Sequence, residues 1–414
     1  MFSSKPVPGR PSQPASDDRT SDDGLVRAFA EPRSFAPMET RQGGMGEIEA
    51  RWPAAWEDLE ADAFIEVHTP RHEPEVMGDP RRALIVIPAL NEAKVIARVI
   101  DQILADEGLV DPLVLVADGG STDGTRDIVR RIAERDPRVR LMPNPGKLQS
   151  AGVNLAARLL GGDRPWLVRV DAHADYPANY ASTLIEEARR THAHSVVVSM
   201  DTRGENWFQR AVAAAQNSVL GTGGSAHRLA TQGQWVDHGH HALFHAESFE
   251  KVGGYDESFS HNEDAELDYR LNQAGGRIWL TDKVRIGYYP RSTPKALWKQ
   301  YFSYGKGRAR TVLKHFTPLK IRQAVPLAIA PAVASLALTP FFWAFALPAL
   351  LWAFAALSLG VVVGVKQRDA AALVSGPAAM IMHLAWSAGF WAQLFTWRAS
   401  PGAGGGMMSP QAAS

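Results

Sequence analysis

The chain has 414 residues, 45% of them apolar, and its 44 Lys plus Arg balance 44 Asp plus Glu. This is enough apolar material for two or three domains, and the balanced charge excludes a global field that would draw the protein to nucleic acid. There is no cysteine, so disulfides and thiolate metal sites are excluded, and any metal ligand has to be carboxylate, imidazole or amide.

Taken in chain order, residues 1–51, beginning "MFSSKPVPGRPSQPASDDRTSDDG", are rich in Pro, Ser and Asp and predict a disordered arm without a signal peptide. Residues 52–80 read as a linker in which "WPAAWEDLEADAFIEVH" predicts a short amphipathic helix. From 81 to 315, β-branched runs alternate with amphipathic helical patterns. "ALIVIP" predicts a buried strand, and Val95, Ile96, Val99, Ile100, Ile103 and Leu104 then share one helical face. The unit recurs in "LVLVAD" followed by "STDGTRDIVRRIA", where Ser121, Thr122 and Asp123 are expected caps. A run at 139–142 precedes "GKLQSAGVNLAARLL", and "WLVRV" delivers Asp171. The alternation predicts an α/β fold with a mostly parallel sheet, helices on both faces, and ligands outside the carboxyl ends of the strands.

Polar residues collect at those ends. Asn91 and Glu92 follow the first strand, Asp118 the second, and Asp171 and His173 the fourth. Singly, each has a structural reading, as a turn at Asp118-Gly-Gly-Ser or a helix start at Asn91-Glu92; together on one edge they point to a site. In "VRVDAHADY", residues 171 and 173 face the same way if the backbone stays extended. An Asp–His pair suits Mn²⁺ better than Mg²⁺. The competing reading has His173 bonding a phosphate or only packing, with Asp171 acting alone, and Asp175 belonging to a turn. Lys147, in "PNPGKLQSAG", can reach a phosphate or be a solvated helix-start lysine.

Further on, "HGHHALFH" supplies His238, His240, His241 and His245 with no carboxylate or cysteine beside them, which argues against zinc and for the lining of an acceptor site. "NEDAELDYRLNQAGG" predicts a helix ending at Gly275, whose Asp264 either compensates the helix dipole or serves as a base. "YFSYGKGRAR" sets Lys306 and Arg308 among aromatics, suited to a diphosphate or to anionic headgroups. From Ala324 to Val365 no charge appears, a run of about forty residues or roughly 60 Å as helix, too long for one crossing. With a break near Thr339 and Pro340, and a second apolar stretch from Ala370 to Trp397, residues 320–398 predict two or three spans, or a re-entrant hairpin plus one span. Basic residues crowd before it, including Lys295, Lys299, Arg310, Lys314, Lys320 and Arg322, which predicts a multi-pass inner-membrane protein with its α/β domain in the cytoplasm. Residues 399–414 predict a flexible tail.

The segments "VIPALNEAKVI", "VADGGSTDGT", "VRVDAHADY", "GGYDESF" and "NEDAELDYRL", in this order and spacing, resemble the inverting family-2 glycosyltransferases of GT-A fold, which transfer sugars from nucleotide diphosphates. The Asp-Ala-His variant, "QNSVLGTGGSAHR", "QYFSYGKGRART" and the apolar C-terminal segment narrow the resemblance to succinoglycan glucosyltransferases. It implies that Asp118 binds the uracil or ribose side of the nucleotide, with Pro88, Asn91 and Glu92 shaping that pocket. Asp171 and His173 fall on the Asp-x-Asp place, which holds Mn²⁺ or Mg²⁺ at the donor diphosphate. Asp264 falls on the catalytic base, with Glu263 orienting it or meeting the acceptor. His241, Lys306 and Arg308 are then expected on the acceptor or diphosphate side. The implied partners are a UDP-sugar, UDP-glucose in the narrowest form, a polyprenyl-diphosphate-linked sugar acceptor and membrane lipids, with no nucleic acid. The Arg-Trp that processive relatives carry in a Gln-x-x-Arg-Trp motif is absent, which argues against a polymer-secreting synthase. A dinucleotide-dependent oxidoreductase is disfavoured because "VADGGSTDG" lacks the G-x-G-x-x-G spacing, and a non-catalytic scaffold because Asp118, Asp171 and Asp264 are all present.

Overall fold

The computed structural model describes residues 79–225 and 231–399. The expected N-terminal arm, the helix within 52–68, the Ala-His-Arg end of "QNSVLGTGGSAHR" and the tail lie outside the described residues.

Strand β1 (Ala83–Ala89) is buried along its whole length. The reason is visible in its period of two. Ala83, Ile85 and Ile87 enter one core with Ile96, Val99, Ile100 and Ile103 of helix α1 (Ile96–Leu104), whereas Leu84 and Val86 enter another. Strand β2 (Leu113–Asp118) and helix α2 (Thr125–Ala133) repeat the unit. So do β3 (Val139–Pro143) and α3 (Gln149–Leu160), whose Val153 and Ala156 supply the cover for Leu84 and Val86. Then come β4 (Trp166–Arg169), the two-residue β5 (Ala174–Asp175), α4 (Tyr180–Thr191) and β6 (Ser195–Thr202). Helix α5 (Trp207–Gln216) opens on an Asn206–Gln209 capping box and is followed by the single turn α6 (Val219–Thr222). The chain continues through β7 (Gln234–Val236), β8 (His240–His245), α7 (Ala246–Lys251), α8 (Glu263–Gln273) and β9 (Ile278–Tyr288).

Among the described residues the strands form one sheet in the order β3-β2-β1-β4-β8-β6-β9-β5, with β7 on β9. Strands β3, β2, β1 and β4 run parallel, so the carboxyl ends of β2, β1 and β4 lie side by side. Beyond β4 the sheet is mixed: β8 is antiparallel to both neighbours, and β6 and β9 are parallel to each other.

The expected caps at Ser121 and Thr122 do something else. The Ser121 hydroxyl accepts from Asn91 N at 2.8 Å and Thr122 N donates to Asn91 Oδ1 at 2.9 Å, stitching the turn after β2 to the turn after β1. Asp123 alone serves the helix, accepting from Thr125 N at 3.0 Å.

Helix α9 (Pro294–His315) leads to α10 (Ile321–Leu327), α11 (Ile329–Ala334), α12 (Leu347–Gln367) and α13 (Ser375–Ala399). Three helical stretches, Ile321–Leu338, Trp343–Gln367 and Ala372–Trp397, are long and apolar enough to cross a membrane. The break falls at 339–342, as the Thr-Pro pair predicts. Asp369, in the turn after α12, pairs with Arg210 of α5 at 2.7 Å, so that turn lies against the sheet domain and the first two stretches form a hairpin. Pro331 lacks the N–H that would reach the Leu327 carbonyl, and Ser387 and Trp391 of α13 donate to it instead at 3.0 and 2.9 Å. Glycines let the helices touch. A Cβ on Gly305 would collide with the Trp386 carbonyl, and one on Gly307 with the His261 carbonyl. Helix α9 is thereby wedged between α13 and the residues that open α8.

Candidate active site

The site is organised by a residue that lies inside "VRVDAHADY" but has no role in the expectations drawn from it. Arg169, at the end of β4 and 4% exposed, is the one charged side chain in "WLVRV". Its Nη1 donates to Asp264 Oδ1 at 2.7 Å, to Tyr255 Oη at 3.2 Å and, more weakly, to Glu263 Oε1 at 3.4 Å. Its Nη2 donates to Gln149 Oε1 at 2.6 Å, and its Nε faces Asp171 Oδ1 at 3.3 Å. One guanidinium therefore ties Asp171, two residues on, to Asp264 at the start of α8. A charge inside a buried apolar strand is costly unless paired, so the lone arginine in that run is the signal from which this hub could have been found.

Asp171 also meets His240 Nε2 at 3.3 Å across the β4–β8 pairing. Burial alone would raise its pKa, but Arg169 and then the His240 bond hold it well below the usual carboxylate range. Glu263 moves the other way, pushed up by burial and then by Asp264. Asp264 itself is 18% exposed and also accepts from Tyr255 Oη at 3.2 Å.

The backbone at 171–173 is not extended. It turns, closed by Ala174 N to Asp171 O at 3.3 Å, while the Tyr176 hydroxyl accepts from Asp171 N at 2.7 Å. The turn is needed to bring β5 onto β9. In consequence Asp171 faces Arg169 and His240, whereas His173, its side chain 40% exposed, faces Glu92 with Nδ1 3.8 Å from Oε1. Burial, more than any neighbouring charge, raises the Glu92 pKa.

The expected isolation of the histidines from carboxylates holds only along the chain. His238 Nδ1 lies 2.7 Å from Asp268 Oδ2 of α8, and His240 pairs with Asp171. The backbone of His241 lies in β8, and its side chain is outside the described residues.

A cavity of about 1190 Å³ is lined by Lys147, Arg169, Asp171, His173, His238, His240, Glu263 and Asp264, and it runs on to Arg308, Arg322 and the apolar helices. Lys147, in the left-handed region at φ 59°, is exposed. Lys306 is exposed and outside the cavity wall, since α9 turns it away from Arg308. The other predicted nucleotide residues form a neighbouring cluster on the same sheet edge. Asp118, 1% exposed, accepts from Gly120 N at 3.0 Å and Ser121 N at 3.0 Å. Pro88 is buried in β1, and Asn91, at φ 59°, holds the turn between them. Neither Pro88, Asn91, Glu92 nor Asp118 lines the cavity itself; the His173–Glu92 approach is where the cluster and the cavity meet.

Three carboxylates surround one guanidinium, so the cluster favours a further positive charge beside Asp171. Among the described residues no group of three or more His, Asp or Glu converges on one point. These residues fit a cation held by one or two protein groups and completed by phosphate oxygens, not an all-protein cage.

The signature of Glycosyl transferase family 2 matches residues 84–253, the stretch that carries the parallel strands, Arg169 and Asp171. The chain belongs to this family and is a glycosyltransferase. It is 51% identical over 316 residues to the succinoglycan biosynthesis protein ExoA of Rhizobium meliloti, covering 76% of this chain and 96% of that one. It is 22% identical over 241 residues to a dolichyl N-acetyl-alpha-D-glucosaminyl phosphate 3-beta-D-2,3-diacetamido-2,3-dideoxy-beta-D-glucuronosyltransferase of Methanococcus voltae, covering 56% of this chain and 74% of that one. In fold it resembles the mannosyltransferase PcManGT of Pyrobaculum calidifontis, solved with GDP-Man and Mn²⁺, at a TM-score of 0.51 and 20% identity over 77% of this chain and 89% of that one.

Proposed function

We propose that the chain is a membrane-anchored inverting glycosyltransferase. It moves a sugar from a UDP-sugar, UDP-glucose in the narrowest form, to a polyprenyl-diphosphate-linked sugar during assembly of an exopolysaccharide of the succinoglycan type. The observation that carries this reading is the single cavity in which Asp171 and Asp264 flank Arg169 and which continues to the apolar helices. The ExoA relative supports the pathway, and the Methanococcus relative, named for a dolichyl phosphate-linked acceptor, supports the acceptor class.

In this reading the acceptor hydroxyl oxygen attacks the anomeric carbon as the bond from that carbon to the diphosphate oxygen breaks. The electron pair leaves with UDP, and the hydroxyl proton passes to Asp264. Arg169 fixes Asp264 in place before attack. Glu263 lines the cavity beside Asp264, where it orients that base or meets the acceptor. Asp171, with His240 beside it and His173 turned toward Glu92, would hold Mn²⁺ or Mg²⁺ together with phosphate oxygens, and the ion would neutralise charge on the leaving diphosphate. No separate acid is needed, because the diphosphate is already a stabilised leaving group. Asp118, Asn91, Glu92 and Pro88 hold the nucleoside, and Lys147 lies where it can reach a donor phosphate. The catalytic domain, 81–315, lies on the cytoplasmic face, anchored by 320–398, consistent with the basic residues before the first apolar stretch.

The test is a panel of nucleotide sugars presented to the full-length protein with undecaprenyl diphosphate monosaccharides. UDP release from one UDP-sugar, dependent on both acceptor and divalent cation, is expected. Release only from GDP- or CMP-sugars, or release that ignores the acceptor, would overturn the reading.

A further inference from the structure

Arg308 lines the far end of the cavity and makes no hydrogen bond or ion pair among the described residues. Arg322, the second residue of the first apolar stretch, lines the same wall and donates to Ser225 Oγ at 3.2 Å, with no carboxylate partner among the described residues. The two guanidinia are close enough to oppose each other's charge. Burial first, and Arg322 second, push Arg308 down to about 10. Asp268 offsets part of this charge without bonding either guanidinium, and two arginines with no bonded carboxylate in a cavity wall form a site for an anion such as phosphate or diphosphate.

Their surroundings say which anion. Past them the cavity wall is Trp352, Met382 and Trp386, from the apolar helices. Against it lies a groove of about 480 Å³ between α6 and α12, lined by Ala355, Ala356, Leu359, Val362 and Val363. Val219, Leu220, Trp352 and His383 belong to both walls, so groove and cavity adjoin. His383 meets neutral partners there: its Nδ1 lies 3.5 Å from Trp352 Nε1 and its Nε2 2.8 Å from the Leu220 carbonyl oxygen. The surroundings thus combine carboxylates, a cationic pair and an adjoining, mainly apolar slot whose wall also carries Lys366 and Gln367.

We infer that Arg308 and Arg322 bind the diphosphate of the lipid-linked acceptor, and that the groove between α6 and α12 receives the first isoprene units of its chain. This assignment rests on the acceptor class proposed above and adds to it the residues that recognise the lipid. It places the lipid's diphosphate at the level where the first apolar stretch begins and leaves the acceptor sugar pointing toward Asp264. The donor diphosphate is instead served by the Asp171 end.

The experiment measures binding of undecaprenyl diphosphate, undecaprenol, inorganic diphosphate and UDP to the full-length protein in nanodiscs. Undecaprenyl diphosphate is expected to bind at least tenfold more tightly than inorganic diphosphate or undecaprenol. Arg308→Gln should weaken undecaprenyl diphosphate at least tenfold and leave undecaprenol and UDP within twofold. Ala355→Trp, at an exposed helix position, should fill the groove and weaken undecaprenyl diphosphate and undecaprenol, with inorganic diphosphate unchanged. Equal weakening of UDP by Arg308→Gln would assign the arginines to the donor and overturn the inference, as would an Ala355→Trp variant with wild-type lipid affinity. Transfer assays separate this from the broader reading. A wild-type protein that glycosylates only lipid-free glycosides defeats the acceptor class itself. One that glycosylates the lipid-linked sugar with KM unchanged in both variants defeats only the residues named here.

Discussion

Two aspartates stand at the carboxyl ends of β2 and β4, the parallel strands on either side of β1, and they are used differently. Asp118, at the end of β2, has its carboxylate committed to backbone amides two and three residues ahead. Asp171, after β4, leaves its carboxylate to Arg169 and to His240, which comes from an antiparallel strand far along the chain. The first belongs to a turn closed by its own neighbours, with Arg126 of α2 3.8 Å away. The second is one member of a charged cluster gathered from β4, β8 and α8, and it opens on the cavity. Strand-end position alone therefore does not tell a shaping residue from one positioned for chemistry; what distinguishes them is where the partners come from.

The sharpest way to break this contrast is at its hub. Arg169→Met leaves Asp171, Glu263 and Asp264 buried without their cation, and a loss of about 3–5 kcal/mol in unfolding free energy is expected. Denaturant unfolding of the detergent-solubilised protein measures it, and a loss below about 1 kcal/mol would show that the cluster is solvated and the contrast overstated. Next is Asp171→Asn, expected to lower kcat about 10²–10³-fold by removing charge stabilisation at the leaving diphosphate, with the melting temperature lowered less than by Arg169→Met. Asp118→Ala should be milder. Losing its amide bonds is expected to destabilise by about 1–2 kcal/mol and to raise the donor KM more than it lowers kcat. A kcat loss as large as that of Asp171→Asn would erase the distinction between the two strand ends. The smallest effect is expected of His173→Asp, a several-fold rise in activity with Mg²⁺ relative to Mn²⁺. An unchanged metal profile would mean that the 171–173 turn keeps residue 173 from the cation and leaves His240 as the nearer imidazole.

The same contrast explains what was legible in the sequence. The parallel half of the sheet could be read because its signals are local: the alternation in "ALIVIPA", the apolar face of α1 and the turn chemistry at 118–125 each act within a few residues. The apolar C-terminal run, its break at Thr339 and Pro340, and the acidic start of α8 were readable for the same reason. The hub was not. Arg169 reaches Asp264 across 95 positions, and His240 reaches Asp171 only because β8 pairs antiparallel with β4. Periodicity carries no information about such contacts. The extended backbone expected at 171–173 failed because the need to return β5 to β9, a long-range pairing, overrides the local preference. The glycines of "YFSYGKGRAR" are a further case. Lys306 and Arg308 carried the expectation of phosphate contact, whereas Gly305 and Gly307 permit close approach to α13 and to the start of α8, and of the segment's basic residues only Arg308 lines the cavity.

The account's central claim is that one cavity holds the donor-side carboxylate Asp171 and the acceptor-side base Asp264, with separate duties. Parallel measurement of UDP affinity and of sugar transfer in Asp264→Asn tests it most directly. Transfer reduced about 10²–10⁴-fold with UDP binding within twofold of the unaltered protein is predicted; turnover within tenfold of normal, or UDP binding lost in step with transfer, would contradict it.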